Sequence, residues 1–141
     1  MIVLDTNVLS ELMCANPEPA VEDWLSRQVT QDVFITAITE AELRYGVLLM
    51  PAGRRRAALS AAMDEMLAED FHGRILPFDS LAAVAYAKIG ADRRRAGRPI
   101  SQSDAQIAGT ALSRGAVVVT RNVDDFEGCG VAIVNPWTVG R

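Results

Sequence analysis

The sequence has little of what most metal-thiolate and nucleophilic enzymes are built from: one histidine (His72), one lysine (Lys88) and two cysteines, Cys14 and Cys129, near opposite ends. A nuclease built on a histidine pair needs two imidazoles, and a zinc site needs Cys and His at short spacing. Neither can be assembled. Lys88 stands in Ala87-Lys88-Ile89, which excludes a Walker loop, and no Gly-x-Ser-x-Gly elbow occurs. Two distant thiols make no disulfide framework, so both are expected to be reduced. No run approaches the roughly eighteen apolar residues of a membrane span. The start, Met1-Ile2-Val3-Leu4-Asp5, lacks the basic residues and long apolar stretch of a signal peptide. A cytoplasmic protein with no membrane partner is expected.

What is present suits a packed core: 141 residues, 50% hydrophobic and 23% charged, the length of a single domain over residues 1–141. Fourteen basic against eighteen acidic side chains give a net charge of −4. The molecule as a whole therefore does not attract nucleic acid, and any such contact must use a local patch.

Short apolar runs alternate with helical patterns. Ile2-Val3-Leu4 reads as a strand ended by Asp5-Thr6-Asn7, after which Val8, Leu9 and Leu12 recur at helical spacing. Pro17-Glu18-Pro19 opens a second helix, and Val33 to Thr36 reads as the next strand. A helix is expected over Ala37 to Met50, broken by Pro51-Ala52-Gly53, followed by one bearing Leu59, Met63, Met66 and Leu67. Arg74 to Pro77 reads as a brief strand. Asp79 or Ser80 caps a helix that ends near Gly97, and Ser101 caps another. Val117 to Thr120 and Val131 to Val134 complete the strands. Apolar strands separated by helices predict an α/β fold, a three-layer α/β/α sandwich around a mostly parallel sheet.

Ligands of such sheets bind outside the carboxyl ends of strands, and Asp5 stands at one. It reads either as an N-cap or as a ligand. On the helix from Ala37, steps of four, three and four align Ile38, Glu42, Tyr45 and Leu49, which sets a carboxylate in an apolar stripe. Glu40 has Arg44 at i+4, whereas Glu42 has Gly46 there and so no comparable ion pair. Asp104 completes a Ser-x-x-Asp capping pattern with Ser101 and also shares a face with Ile107, Ala108 and Ala111. The segment Thr120 to Phe126 brings Asn122, Asp124 and Asp125 to another strand end. Carboxylates about 4 Å apart repel by about 4 kcal/mol at an effective dielectric of about 20, so a convergent cluster needs protons or a cation. All-oxygen ligands without Cys or His point to Mg²⁺ or Mn²⁺.

Asp5-Thr6-Asn7, Ala41-Glu42-Leu43, Asp104 to Ala108 and Thr120-Arg121-Asn122 with Asp125-Phe126 together resemble a PIN domain over nearly the whole chain. The length and the closing Asn135-Pro136-Trp137 are similar to the VapC toxins of bacterial toxin–antitoxin pairs, particularly the FitB-like branch. That resemblance implies a Mg²⁺-dependent endoribonuclease with Asp5, Glu42 and Asp104 as catalytic carboxylates, Asp5 and Asp104 holding the metal. It implies a cognate antitoxin as partner, DNA reached only through the antitoxin, and a homodimer. Asn122 is expected to line the site with Asp125 as a neighbour, and Thr6, Asn7 and Thr120 to hydrogen-bond around it.

The arginine runs 54–56 and 93–95 with Arg98 read as phosphate contacts or as solvated helix surface. His72 is expected to make a structural hydrogen bond, and Trp24 and Trp137 to pack. A receiver-type phosphoacceptor wants a lysine after a late strand, and a dehalogenase-type phosphatase wants Asp-x-Asp where this chain has Asp5-Thr6-Asn7. A noncatalytic interaction protein of the same fold is the remaining alternative.

Overall fold

Val3 and Leu4 are both fully buried although neighbours on a strand point to opposite faces. The sheet must therefore be covered on both sides. In the computed structural model, which describes residues 1–139, strands β1 (Ile2–Leu4), β2 (Val33–Thr36), β3 (Ile75–Leu76), β4 (Val117–Val119) and β5 (Ile133–Val134) form one sheet in the order β3-β2-β1-β4-β5. Every pairing is parallel.

Helices α1 (Thr6–Met13), α2 (Pro19–Ser26), α3 (Ala37–Leu48) and α4 (Arg54–Glu65) cover one face. Their core includes Val8, Val21, Leu43, Val47 and Met63, packed with Leu4, Ile35 and Val119. Helices α5 (Ser80–Arg95) and α6 (Gln102–Ser113) and the short α7 (Val123–Phe126) cover the other, where Ile89, Ile107, Ala108 and Phe126 meet Val3 and Val118. Both cysteines are unpaired, and no described helix is long and apolar enough to cross a membrane.

Local chemistry sets the boundaries. Pro19 occupies the first turn of α2, where a missing N–H costs little. Asp79 Oδ1 accepts the Ala82 N–H at 3.0 Å to cap α5, and Gly97 leaves it with φ +73. Arg74 is buried and donates to the carbonyls of Thr30, Val33 and Asp70, tying the approach to β3 to the start of β2.

Several expectations need correction. The helix from Ala37 ends at Leu48 rather than Met50, and β3 and β5 are each two residues long. The buried face of α3 is Thr39, Leu43 and Val47. Tyr45 and Leu49, expected in the same stripe as Glu42, are 66% and 67% exposed. The apolar stripe on α3 was displaced by one position because a buried threonine, hydrogen-bonded to its neighbours, belongs to the inner face. Residues 123–126, read from the sequence only as a segment beyond a strand end, form a short helix in which Phe126 is fully buried.

Candidate active site

β1 has β2 on one side and β4 on the other, so the carboxyl ends of β1 and β4 flank the point where the chain reverses its progress across the sheet. Asp5 and Thr120 are the first residues beyond those two ends. The Asp5 N–H donates to Val119 O at 2.9 Å, which carries the parallel ladder one step past the strands and fixes where the carboxylate sits.

That carboxylate is 5% exposed and fully engaged. Oδ1 accepts the Thr6 N–H at 2.8 Å, and Oδ2 accepts Asn7 Nδ2 at 3.0 Å and the Thr120 hydroxyl at 2.8 Å. Thr120 Oγ1, its proton given to Asp5, accepts Asn7 Nδ2 at 3.1 Å and the Asn122 N–H at 3.0 Å. Asn7 Oδ1 takes the Arg121 N–H at 3.2 Å. Among the described residues no buried side-chain N or O lacks a partner.

Glu42 arrives from α3, which is capped by Thr36 Oγ1 accepting the Thr39 N–H at 3.1 Å. Its Oε1 accepts the Thr6 hydroxyl at 2.7 Å, and that hydroxyl lies 3.1 Å from Thr39 Oγ1. Glu42 thus has a partner on another helix, which a search along its own helix misses. Asp104 satisfies both of its readings. Its N–H donates to Ser101 Oγ at 3.2 Å, completing the helix cap, while its half-buried carboxylate lines a cleft of about 360 Å³ with Asp5, Thr6, Asn7, Ser10, Glu42 and Asn122.

Asp5, Glu42 and Asp104, taken from three distant segments, therefore face one cleft. Asn122 lines it and Thr120 stands behind Asp5. Asp125 lines an adjoining cleft that shares Asn122. Ser10 and Thr39 escaped the sequence reading, although Thr6 and Ser10 at i,i+4 and Thr39 and Glu42 at i,i+3 are the helical spacings that share a face.

Burial pushes the Asp5 carboxyl up to about 6; the hydrogen bonds from Thr120 and Thr6 oppose the rise, and the charges of Asp104 and Glu42 add to it. Burial also raises Asp104, with the Ser101 bond opposing and the charges of Asp125 and Glu42 adding to the rise. Among the described residues no three Asp, Glu, His or Cys side chains form a ready metal cage. Asp5 and Glu42 are turned to hydroxyl and amide donors. The donor set nevertheless fits a hard cation, being carboxylate, hydroxyl and amide oxygen throughout. Magnesium keeps several waters and needs only one or two carboxylates.

Elsewhere two expectations fail. Arg93 neither tracks solvent nor offers itself to phosphate: it is 7% exposed and donates to the carbonyls of Arg98 at 2.7 Å and of Asp125 and Glu127 at 2.9 Å. His72 lies exposed in a turn closed by the Arg74 N–H donating to Phe71 O, and its side chain makes no hydrogen bond among the described residues. Trp24 and Trp137 do pack into the core.

The PIN domain profile matches residues 2–128. VapC ribonuclease Y4jK of Sinorhizobium fredii is 43% identical over 97% of this chain and 98% of its own length. Toxin FitB of Neisseria gonorrhoeae is 40% identical over 97% and 99%. The solved structure of FitAB bound to an IR36 DNA fragment superposes with a TM-score of 0.93 at 39% identity, over all of this chain and 99% of that one. A parallel sheet of this strand order, a carboxylate cleft at its switch point and end-to-end likeness to these relatives agree: the chain belongs to the PIN-domain family, on the branch of the VapC and FitB toxins.

Proposed function

We propose that the chain, acting as one domain over residues 1–141, is a Mg²⁺-dependent endoribonuclease toxin of a type II toxin–antitoxin pair. The observation that carries this is the cleft itself: three carboxylates, one just past β1 and the others on α3 and α6, line one polar, all-oxygen pocket at the switch point. PIN nucleases generally need a divalent metal, and the relatives are named as ribonuclease and toxin.

Asp5 and Asp104 would hold the metal, which supplies activation of a water for attack on phosphorus and offsets charge on the leaving oxygen. Asp5 is the rigid member, its two oxygens oriented by Thr6, Asn7 and Thr120. Glu42 is held through Oε1 by Thr6, which leaves Oε2 to accept a proton from the attacking water. Asn122, pinned through its N–H to Thr120, presents an uncharged amide to the substrate. No imidazole is needed, which agrees with the single, remote histidine.

The RNA substrate places this work in the cytoplasm. By likeness to FitAB bound to DNA, the protein partner is a cognate antitoxin, through which the pair reaches DNA, and a second copy of the chain completes a homodimer.

The test is titration of Mg²⁺, then Mn²⁺, against a mixed RNA substrate. The parent chain is expected to cleave, while Asp5→Ala and Asp104→Asn lose at least a hundredfold in rate, on the order of 3 kcal/mol of barrier, with unchanged circular dichroism. Full activity in both variants refutes the assignment. Cation binding without cleavage by the parent chain favours the interaction-protein reading.

A further inference from the structure

An acidic cleft that cuts a polyanion needs a cation beside it, and most of the arginines are committed elsewhere. Arg93 is buried and donates to three backbone carbonyls. Arg44, Arg98 and Arg114 are paired with Glu40 and Asp64, with Glu127 and with Asp79 respectively. Arg121 differs. It is exposed and, like Arg54, Arg55, Arg56 and Arg94, has no ion pair among the described residues, but it directly follows Thr120 at the site.

Its main chain is fastened to the site, since the Arg121 N–H donates to Asn7 Oδ1 at 3.2 Å and Asn7 in turn donates to Asp5 Oδ2 at 3.0 Å. Its side chain rests on a platform. The guanidinium carbon lies 5.2 Å from the centroid of the Trp137 ring. Trp137 is 9% exposed, packed in the core, and fixed by its own N–H to Asn135 Oδ1 at 3.0 Å. A guanidinium held over an aromatic ring can still direct its N–H groups onto an anion. Stacking also holds a long side chain near one rotamer, so that less freedom remains to be lost on binding.

Arg121 lines a polar cleft of about 360 Å³ with Asn122, Val123, Asp124, Asp125 and Asn135, and this cleft adjoins the carboxylate cleft through Asn122. A strand occupying the carboxylate cleft and continuing past Asn122 would therefore reach Arg121. We propose that Arg121, stacked on Trp137, is the substrate-positioning residue that grips an RNA phosphate adjacent to the one being cut. The assignment rests on the ribonuclease reading above, and it concerns the backbone of the strand rather than its bases.

The experiment measures binding of a short fluorescent mixed-sequence oligoribonucleotide by anisotropy, with Mg²⁺, in an Asp104→Asn background so that the probe survives. Arg121→Gln is expected to raise Kd roughly tenfold and to lower the slope of log Kd against log salt by about 0.7, one phosphate contact on a single strand. Arg121→Lys retains the charge and is expected to restore the slope and part of the affinity, which a purely structural partner of Trp137 would not do. In the cleaving parent background, KM is expected to rise by a larger factor than kcat falls. Thermal midpoints of both variants show whether either has lost its fold, and the Lys variant decides if the Gln variant has. Cleavage by the parent with Kd and salt slope unchanged in Arg121→Gln overturns the Arg121 assignment alone. A parent chain that neither binds nor cleaves RNA overturns both readings.

Discussion

Asp5 is the residue at which the largest electrostatic cost is concentrated. Its carboxyl is raised from 3.8 to about 6, first by burial and then by the charges of Asp104 and Glu42. In the metal-free protein the native state therefore holds a proton that the unfolded chain releases between these values. Stability is expected to be fully present below about pH 4 and to fall as pH rises through about 6, by on the order of 3 kcal/mol in all, staying low above that. Asp104, also raised, acts in the same sense. Urea midpoints measured in EDTA should show the fall in the parent chain and a much shallower one in Asp5→Asn. Added Mg²⁺ should recover stability above pH 6, because a cation bound by the ionised carboxylates favours the folded state. A metal-free protein whose stability rises from pH 4 to 6 contradicts this account of Asp5.

Helices α5 and α6 meet backbone to backbone at Gly109. A Cβ built there would stand 2.8 Å from the Tyr86 backbone nitrogen and 2.9 Å from the Ala82 carbonyl. Gly→Ala within a helix ordinarily gains about 1 kcal/mol; here it is expected to cost roughly 1–3 kcal/mol through overpacking, read as a lower urea midpoint. Since α6 carries Asp104, a shift of this helix should also reduce cleavage. The second joint is Arg93, which fastens α5 to α7 and the residue after it through the carbonyls of Asp125 and Glu127, and to its own exit through that of Arg98. Arg93→Met should leave those carbonyls without their donor and lower stability by about 2–4 kcal/mol, with faster amide exchange over residues 122–129. Lysine should not rescue it, since one ammonium cannot reproduce the fork.

At the scale of the whole molecule, the misassigned stripe on α3 becomes informative. Tyr45, Leu48 and Leu49 lie at i, i+3 and i+4 and are each about two-thirds exposed, an apolar patch of the kind that marks a protein contact. The parent chain is expected to sediment as a dimer and Leu48→Arg as a monomer. Dimers in both remove this patch from the interface. The fold itself was largely legible, because uninterrupted apolar strands such as Val117 to Val119 occur where both faces of a sheet are covered. The shortest strands were legible only in outline: Ile75–Leu76 and Ile133–Val134 are held by pairing to β2 and β4 rather than by their own pattern.

The sequence by itself determined the chemistry available: oxygen ligands, no imidazole pair, no thiolate cluster, and carboxylates placed at strand ends and on helices by period and capping. Only the tertiary structure decided which of these meet. Thr6 reaches Glu42 across 36 positions and Thr120 reaches Asp5 across 115, the first contact following from the parallel pairing of β1 with β2 and the second from that of β1 with β4. Local pattern is blind to them, because a hydrogen bond between segments so far apart exists only once the strands between and beside them have been ordered.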